Sequence, residues 1–157
     1  MFNNESTTSP RTLIGQLPNW IIWAIIALAL IGFTDSAFLL AKRLSGTPIP
    51  CFITSGCDEV SKSPLSVLFG VPLSLWGVVF YLGIGFLTLL YIDTKNLLVA
   101  KLIPLATTAG FLSSCYFIYV QKFLIGAFCV YCLLSALVST LLFLLGIVVW
   151  KKLKTTA

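Results

Sequence analysis

Five cysteines carry the chemistry that this sequence can offer. Cys51 and Cys57 are separated by five residues, Cys129 and Cys132 by two, and Cys115 stands alone. Two cysteines at C-x-x-C spacing are close enough to bond, and helix N-terminal amides favour the thiolate of such a pair. That is the pattern of a redox-active dithiol. A structural disulfide is a poorer account of Cys129 and Cys132, because closing so small a loop removes little chain entropy. Two structural disulfides nevertheless remain an alternative for a loop facing an oxidising compartment.

The chain has no histidine. This excludes a His-assisted nucleophile and disfavours most zinc sites. Four thiolates have the ligand count of a structural zinc site or of a soft-metal carrier. Charged thiolates at an apolar boundary without balancing donors are costly, however. A thiolate-dependent soft-metal transporter or metal-binding membrane protein therefore stands as the rival from another class, behind redox chemistry.

The elements that must position the cysteines are apolar. Of 157 residues, 59% are hydrophobic and 10% charged, against about 25% charged in a soluble domain. Four runs, Trp20–Ala41, Phe69–Ile92, Leu97–Val120 and Phe123–Trp150, each reach the roughly 20 residues that cross a bilayer core. In lipid each must be helical, since no water meets unpaired backbone groups. The first run is too long for the core of a cleavable leader and is read as a retained helix. The fold expected is an all-α membrane protein, a four-transmembrane-helix bundle with a short interfacial helix capping its extracytoplasmic side. Residues 1–18 read as a polar tail, 19–151 as the membrane domain and 152–157 as a basic tail. Asp93–Asn96 is expected to be one tight turn, and Gln121 with Lys122 another. The fourth run exceeds one span, which leaves Phe123–Phe128 for the interface or for a helix tilt.

With four spans, the first and third connections share a membrane side. Cys51 and Cys57 lie in the first connection, and Cys129 and Cys132 just inside the helix after the third. All four sulfurs are thus expected near one face. Arg11, Lys95, Lys101, Lys151, Lys152 and Lys154 fall on the opposite side, against Lys42, Arg43, Lys62 and Lys122 on the cysteine side. The positive-inside rule makes the first group, and both termini, cytoplasmic. The cysteines would then face outward, where disulfides persist, in a multi-pass protein of the plasma membrane. The net charge of +5 suits anionic lipid headgroups, with no nucleic acid partner implied.

Ser55 reads as an N-cap, with Asp58 and Glu59 in the first turn of a helix that begins near Cys57. Val60, Leu65, Val67 and Leu68 give this segment an apolar side, and Pro64 and Gly70 limit it. It is expected to lie along the membrane surface over the bundle.

Together these residues resemble the vitamin K epoxide reductase family, including its bacterial disulfide-forming members without a fused thioredoxin domain. The resemblance rests on Cys51-x5-Cys57, on Ser63, on Phe69-Gly-Val-Pro-Leu-Ser-Leu-Trp-Gly77 at the opening of the second span, on Tyr81 and on Phe128-Cys-Val-Tyr-Cys132. It implies a four-helix bundle around a membrane quinone, of the menaquinone or ubiquinone type, with no metal. It also implies roles. Cys51 and Cys57 would exchange disulfides with a separate thioredoxin-fold thiol oxidoreductase, Cys57 would pass electrons to Cys129, and Cys132 would deliver them to the quinone. Ser63 would sit near the quinone or support the site. Animal members carry an asparagine where this chain has Leu73 and a tyrosine where it has Ala136, which favours simple quinone reduction over reduction of an epoxide.

Other residues divide between function and packing. Asp35 interrupts the first span near the cysteine face and would either pair with a base or handle quinol protons. Trp76 is placed to line the quinone cavity, although packing explains it as well. Cys115 reads as a small buried hydrophobe, and Trp20, Trp23 and Trp150 as interfacial anchors. Pro72 falls in the first turn of its helix, and Pro104 is positioned to kink the third. Gly77, Gly83 and Gly85 read as sites of close helix contact.

Overall fold

The computed structural model describes residues 17–50 and 56–156. Four helices long and apolar enough to cross a membrane dominate it. They are α1 (Asn19–Ser45), α3 (Leu73–Thr94), α4 (Leu97–Val120) and α5 (Val130–Thr156), with a six-residue helix α2 (Cys57–Lys62) between the first two. Helix α1 packs on α3 and α5, and α4 packs on α5 and α3, which closes a four-helix bundle. The expected all-α membrane architecture is what forms.

Local chemistry sets the ends of these helices. Helix α1 runs four residues beyond the expected end and stops at Gly46, whose left-handed φ of 65° lets its N–H cap the Arg43 carbonyl. Between α3 and α4 the turn contracts to Lys95 and Asn96. Lys95 takes the left-handed conformation at φ 50°, and the Asn96 side chain accepts from Leu98 N at 2.9 Å. Pro104 lies inside α4. Its own carbonyl is engaged by the hydroxyls of Thr107 and Thr108 at 3.0 and 2.7 Å.

Three expectations about connections are corrected. The second span does not begin at Phe69. Val67–Leu68 and Val71–Pro72 form a two-stranded hairpin, β1 and β2, paired Val67 with Pro72 and Leu68 with Val71. Its two turn residues, Phe69 and Gly70, both have positive φ, the requirement of a type I′ turn. Pro72 is accordingly the N-cap of α3 rather than a first-turn residue. Gln121 and Lys122 do not form a tight turn either: a π-helical turn, Gln121–Ile125, extends α4 and ends at Gly126 with φ 72°. The fourth helix therefore starts at Val130, and Phe123–Phe128 belong to the turn and the loop before it. Helix α5 continues through Lys151, Lys152 and Lys154 to Thr156.

The bundle core is largely apolar at the end away from the cysteines, and the buried Thr88 hydroxyl there donates to the Ile84 carbonyl at 2.8 Å. Ile21, Ile25, Ile84, Ile103, Leu142 and Val149 are completely buried there, and the Leu17 N–H donates to the Tyr91 hydroxyl at 3.1 Å. Gly77 meets Ser36 closely, as expected of a helix contact, whereas Gly83 and Gly85 face open space and make none. Trp20, Trp23 and Trp150 are exposed at the helix ends, as anchors should be.

Candidate active site

Helix α2 forms a lid at the opposite end. Its N-cap is Gly56, without a side-chain cap; the expected cap Ser55, together with Cys51, lies outside the described residues. Gly56 is there for close approach. A Cβ at this position would stand 2.9 Å from both the Ala127 Cβ and the Phe128 carbonyl, so only glycine lets the lid rest on the loop before α5. That contact sets Cys57 against Cys129.

Two tethers hold the lid. The Asp58 carboxylate accepts from Ile49 N at 3.0 Å and pairs with Lys62 at 3.0 Å. The hydrogen bond from the Ile49 amide, and then that from Lys62, hold the Asp58 carboxyl below its ordinary range. Arg43, in the last turn of α1, donates to the Ser61 carbonyl and to the Ser66 hydroxyl, the latter at 2.7 Å. Cations in this turn also complement the helix dipole. Ser63 caps the short 3₁₀ turn Pro64–Ser66 by accepting from Leu65 N at 3.3 Å, and it does not line the cavity below.

The sulfurs converge. Cys57 and Cys129 are both completely buried in one small cluster with Ile49 and Val60, and Cys132 packs against it. Cys57 is disulfide-bonded, whereas Cys129 and Cys132 are free thiols. Cys129 sits immediately before α5, and its carbonyl accepts the first helical hydrogen bond from Leu133 N at 3.0 Å. Hydrogen bonding from the Cys132 thiol, followed by the amides of Cys132 and Tyr131, brings the Cys129 thiol down to about 7, although burial opposes this. Tyr131 braces the same corner: its hydroxyl donates to the Pro50 carbonyl at 3.2 Å, and its ring packs on Phe38 at 5.3 Å.

Below the sulfurs lies a cavity of about 340 Å³ that reaches from the lid down between the helices and includes both Cys129 and Cys132 in its wall. Its volume falls within the range of small-molecule sites, about 300–1,000 Å³. Small residues create the space: Ser74 and Gly77 on α3, Ala109 and Gly110 on α4, Ser135 and Ala136 on α5. Trp76, Phe80 and Tyr81 supply flat apolar walls. The Tyr81 hydroxyl is fixed by the Ser135 carbonyl and hydroxyl at 2.9 and 2.8 Å, and the Trp76 indole N–H donates to the Leu68 carbonyl at 3.4 Å. Leu73, too, lines the wall. An apolar slot walled by aromatic rings and touching a thiol fits the ring of a quinone, so the residues present are compatible with one.

Two expectations are revised here. Asp35 is buried at 7% exposure, but among the described residues no base pairs with it and neither carboxylate oxygen has a hydrogen-bond partner. It lies behind the cavity wall rather than in it. Cys115 is exposed on the outside of α4 instead of buried, because the bundle turns that face of α4 outward. Among the described residues no three side chains of His, Cys, Asp and Glu gather as metal ligands.

Several site residues escaped the sequence reading. Gln121 accepts from Cys129 N at 3.0 Å, with both groups buried. Gly56, Arg43, Ser135 and Ser139 also shape the lid or the cavity. Gln121 alone had a visible signal, as an uncharged polar residue between two apolar runs and eight positions before Cys129.

Comparison with known proteins agrees with this arrangement. The thiol-disulfide oxidoreductase LTO1 of Arabidopsis thaliana is 35% identical over 124 residues, which cover 72% of this chain and 32% of that protein. The chain therefore spans about a third of that relative's length. The family model for the vitamin K epoxide reductase family matches residues 23–147, from the first span through most of the fourth. This chain belongs to the vitamin K epoxide reductase family.

Proposed function

We propose that the chain is a membrane thiol oxidoreductase that takes electrons from a protein dithiol and delivers them to a membrane quinone of the menaquinone or ubiquinone type. The observation that carries this reading is the joint burial of Cys57 and Cys129, with Cys132 packed beside them on the wall of an apolar cavity. Family membership and the thiol-disulfide oxidoreductase relative support the thiol half of the reaction.

The reaction balances in three exchanges. A thiolate of the reduced partner attacks a Cys51–Cys57 disulfide, and a second attack by the partner's other thiol releases the pair reduced. The Cys57 thiolate then attacks a Cys129–Cys132 disulfide at Cys129, and Cys51 resolves the mixed disulfide. The resulting Cys129–Cys132 dithiol gives two electrons and two protons to the quinone, which leaves as quinol while the disulfide re-forms. Direction follows from potentials, at about 30 mV for each 1.4 kcal/mol in a two-electron couple.

The chain's own residues bind, orient and shield. Trp76, Phe80 and Tyr81 would hold the quinone ring. The lid, through Gly56, Asp58 and Arg43, keeps the sulfurs out of water. Ser63 supports the site indirectly, by starting the 3₁₀ turn that carries Ser66 to Arg43. Leu73 and Ala136 leave the wall without the polar handles that animal members carry, which favours quinone over an epoxide. The dithiol that the chain oxidises belongs to a thioredoxin-fold protein. The protein lies in the plasma membrane with its site extracytoplasmic and its termini cytoplasmic, and it supports disulfide formation in exported proteins.

The test is anaerobic. Purified protein in lipid, given a reduced thioredoxin-fold dithiol and a soluble quinone, should form one quinol per dithiol oxidised. Quinol that forms without dithiol consumption, or no quinol at all with a bound soft metal in its place, would overturn the proposal.

A further inference from the structure

Gln121 is a buried polar residue for which the relay just described has no use. It is 4% exposed and shares the cavity wall with Cys129 and Cys132. Its carboxamide has a fixed orientation. The Cys129 N–H is a donor, so the atom it meets at 3.0 Å must be the Gln121 oxygen. The –NH₂ group is thereby turned away from Cys129, and it has no hydrogen-bond partner among the described residues. A donor left bare in an apolar wall is unfavourable unless a ligand accepts from it.

Several other polar groups around the cavity are engaged, although the buried Ser139 hydroxyl on the same wall has no hydrogen-bond partner among the described residues. Ser113 and Ser114 donate to carbonyls of their own helix, at 2.9 and 3.0 Å, and the Tyr81 hydroxyl is fixed on Ser135. Leu73 and Ala136, also on the wall, have nothing to donate. Gln121 differs from all of these because its oxygen is tied to the main chain of a redox cysteine. A carbonyl accepting from its nitrogen is held beside the dithiol, where electrons must cross.

We infer that Gln121 is a quinone-binding residue that grips both reactants at once, its oxygen anchoring Cys129 and its nitrogen donating to one carbonyl of the quinone. The π-helical turn Gln121–Ile125, closed by Gly126 N on the Gln121 carbonyl at 2.9 Å, is what points the side chain inward from the end of α4. A donor there also stabilises negative charge as it builds on the oxygen of the quinone being reduced. The inference rests on the quinone reading above and adds the recognising group.

Two substitutions separate the halves of the grip. Gln121→Glu keeps an oxygen acceptor for Cys129 and removes the donor, whereas Gln121→Leu removes both. In protein stripped of quinone, Gln121→Leu should change the alkylation rate of Cys129, because its main chain is released. With quinone added back, Gln121→Glu should weaken binding about tenfold, as the loss of one buried hydrogen bond does. This is read from quenching of tryptophan fluorescence, since Trp76 lines the cavity. The wild-type protein provides a check that no folding defect can blur. With ¹³C-carbonyl quinone, the infrared stretch of one carbonyl should fall below its value in lipid, and that fall should vanish in Gln121→Glu. Equal carbonyls in the wild type, or an unchanged shift in Gln121→Glu, would refute the Gln121 assignment while leaving quinone reduction standing. Failure of the wild type to bind quinone at all would instead remove the reading on which the assignment rests.

Discussion

The same four helices build two different interiors at their two ends. At the end away from the cysteines, Ile21, Ile25, Ile103, Leu142 and Val149 are completely buried in one apolar cluster. At the cysteine end, positions on the same inward faces hold Ser36, Gly77, Gly110, Ala136 and Ser139, and a cavity takes the place of side chains. Helix α5 shows the change along a single stripe, from Cys132, Ser135 and Ser139 to Leu142, Val149 and Leu153. Substituting small residues for large ones on one half turns a bundle into a container. In lipid, where burying apolar surface between helices yields little, tight packing at one end has to hold the structure that the other end gives up.

The contrast can be broken most severely at the sulfurs. Cys129→Ala and Cys132→Ala should each lower thiol-dependent quinol formation by about 10³-fold or more, since no parallel route for the electrons exists. Thermal unfolding should stay close to the wild type, because the core at the far end is untouched. A lower unfolding temperature of the same size as that of a core variant would instead make these cysteines structural.

Converting one end into the other comes next. Ala136→Phe fills the cavity and should cut quinone turnover by roughly tenfold or more, with stability maintained. Leu142→Ala does the reverse, opening a void in the packed end at about 2–3 kcal/mol of stability, with the quinone Kd unchanged. If both variants moved both quantities together, the two ends would not be separable.

Sharpening the contact between lid and bundle is a smaller step. Gly56→Val forces the lid away from Ala127 and Phe128. Electron transfer from Cys57 to Cys129 should slow several-fold, while quinone oxidation of a chemically reduced Cys129–Cys132 pair should not. Single-turnover kinetics distinguishes the two steps.

The smallest effect is on pH. The Asp58 carboxyl is held below its ordinary range, so its contribution is present above the unfolded value near 3.8 and fades as pH falls through the folded one. Below about pH 4 the Ile49–Asp58 tether should loosen, seen as faster hydrogen exchange at Ile49. Asp58→Ala should show that fast exchange at neutral pH and no further acid dependence.

Much of this could be read without a structure. The four spans follow from long apolar runs that lipid forces into helix, and the run Leu97–Val120 coincides with α4, whose start Asn96 caps. The approach of Cys57 to Cys129 and Cys132 agrees with span counting, while Cys51 lies outside the described residues. Boundaries failed where the backbone takes uncommon conformations. Phe69, a bulky residue with positive φ, signals no turn by its type, so the hairpin before α3 was hidden. The π-helical turn at Gln121 adds no break in hydropathy, so the start of α5 was placed seven residues early. Asp35 invited a partner in the sequence, and the described residues supply none.

The sequence by itself determined the number of spans, the spacing of the cysteines and the family, because these depend on composition and on spacing along the chain. Tertiary structure decided which small residues face one another to leave a cavity, that Gly56 brings Cys57 onto Cys129, and that a glutamine eight positions from Cys129 holds its amide. Those outcomes depend on distances between helices. Each position along a helix has a fixed direction, but what it meets there is set only when the neighbouring helix arrives.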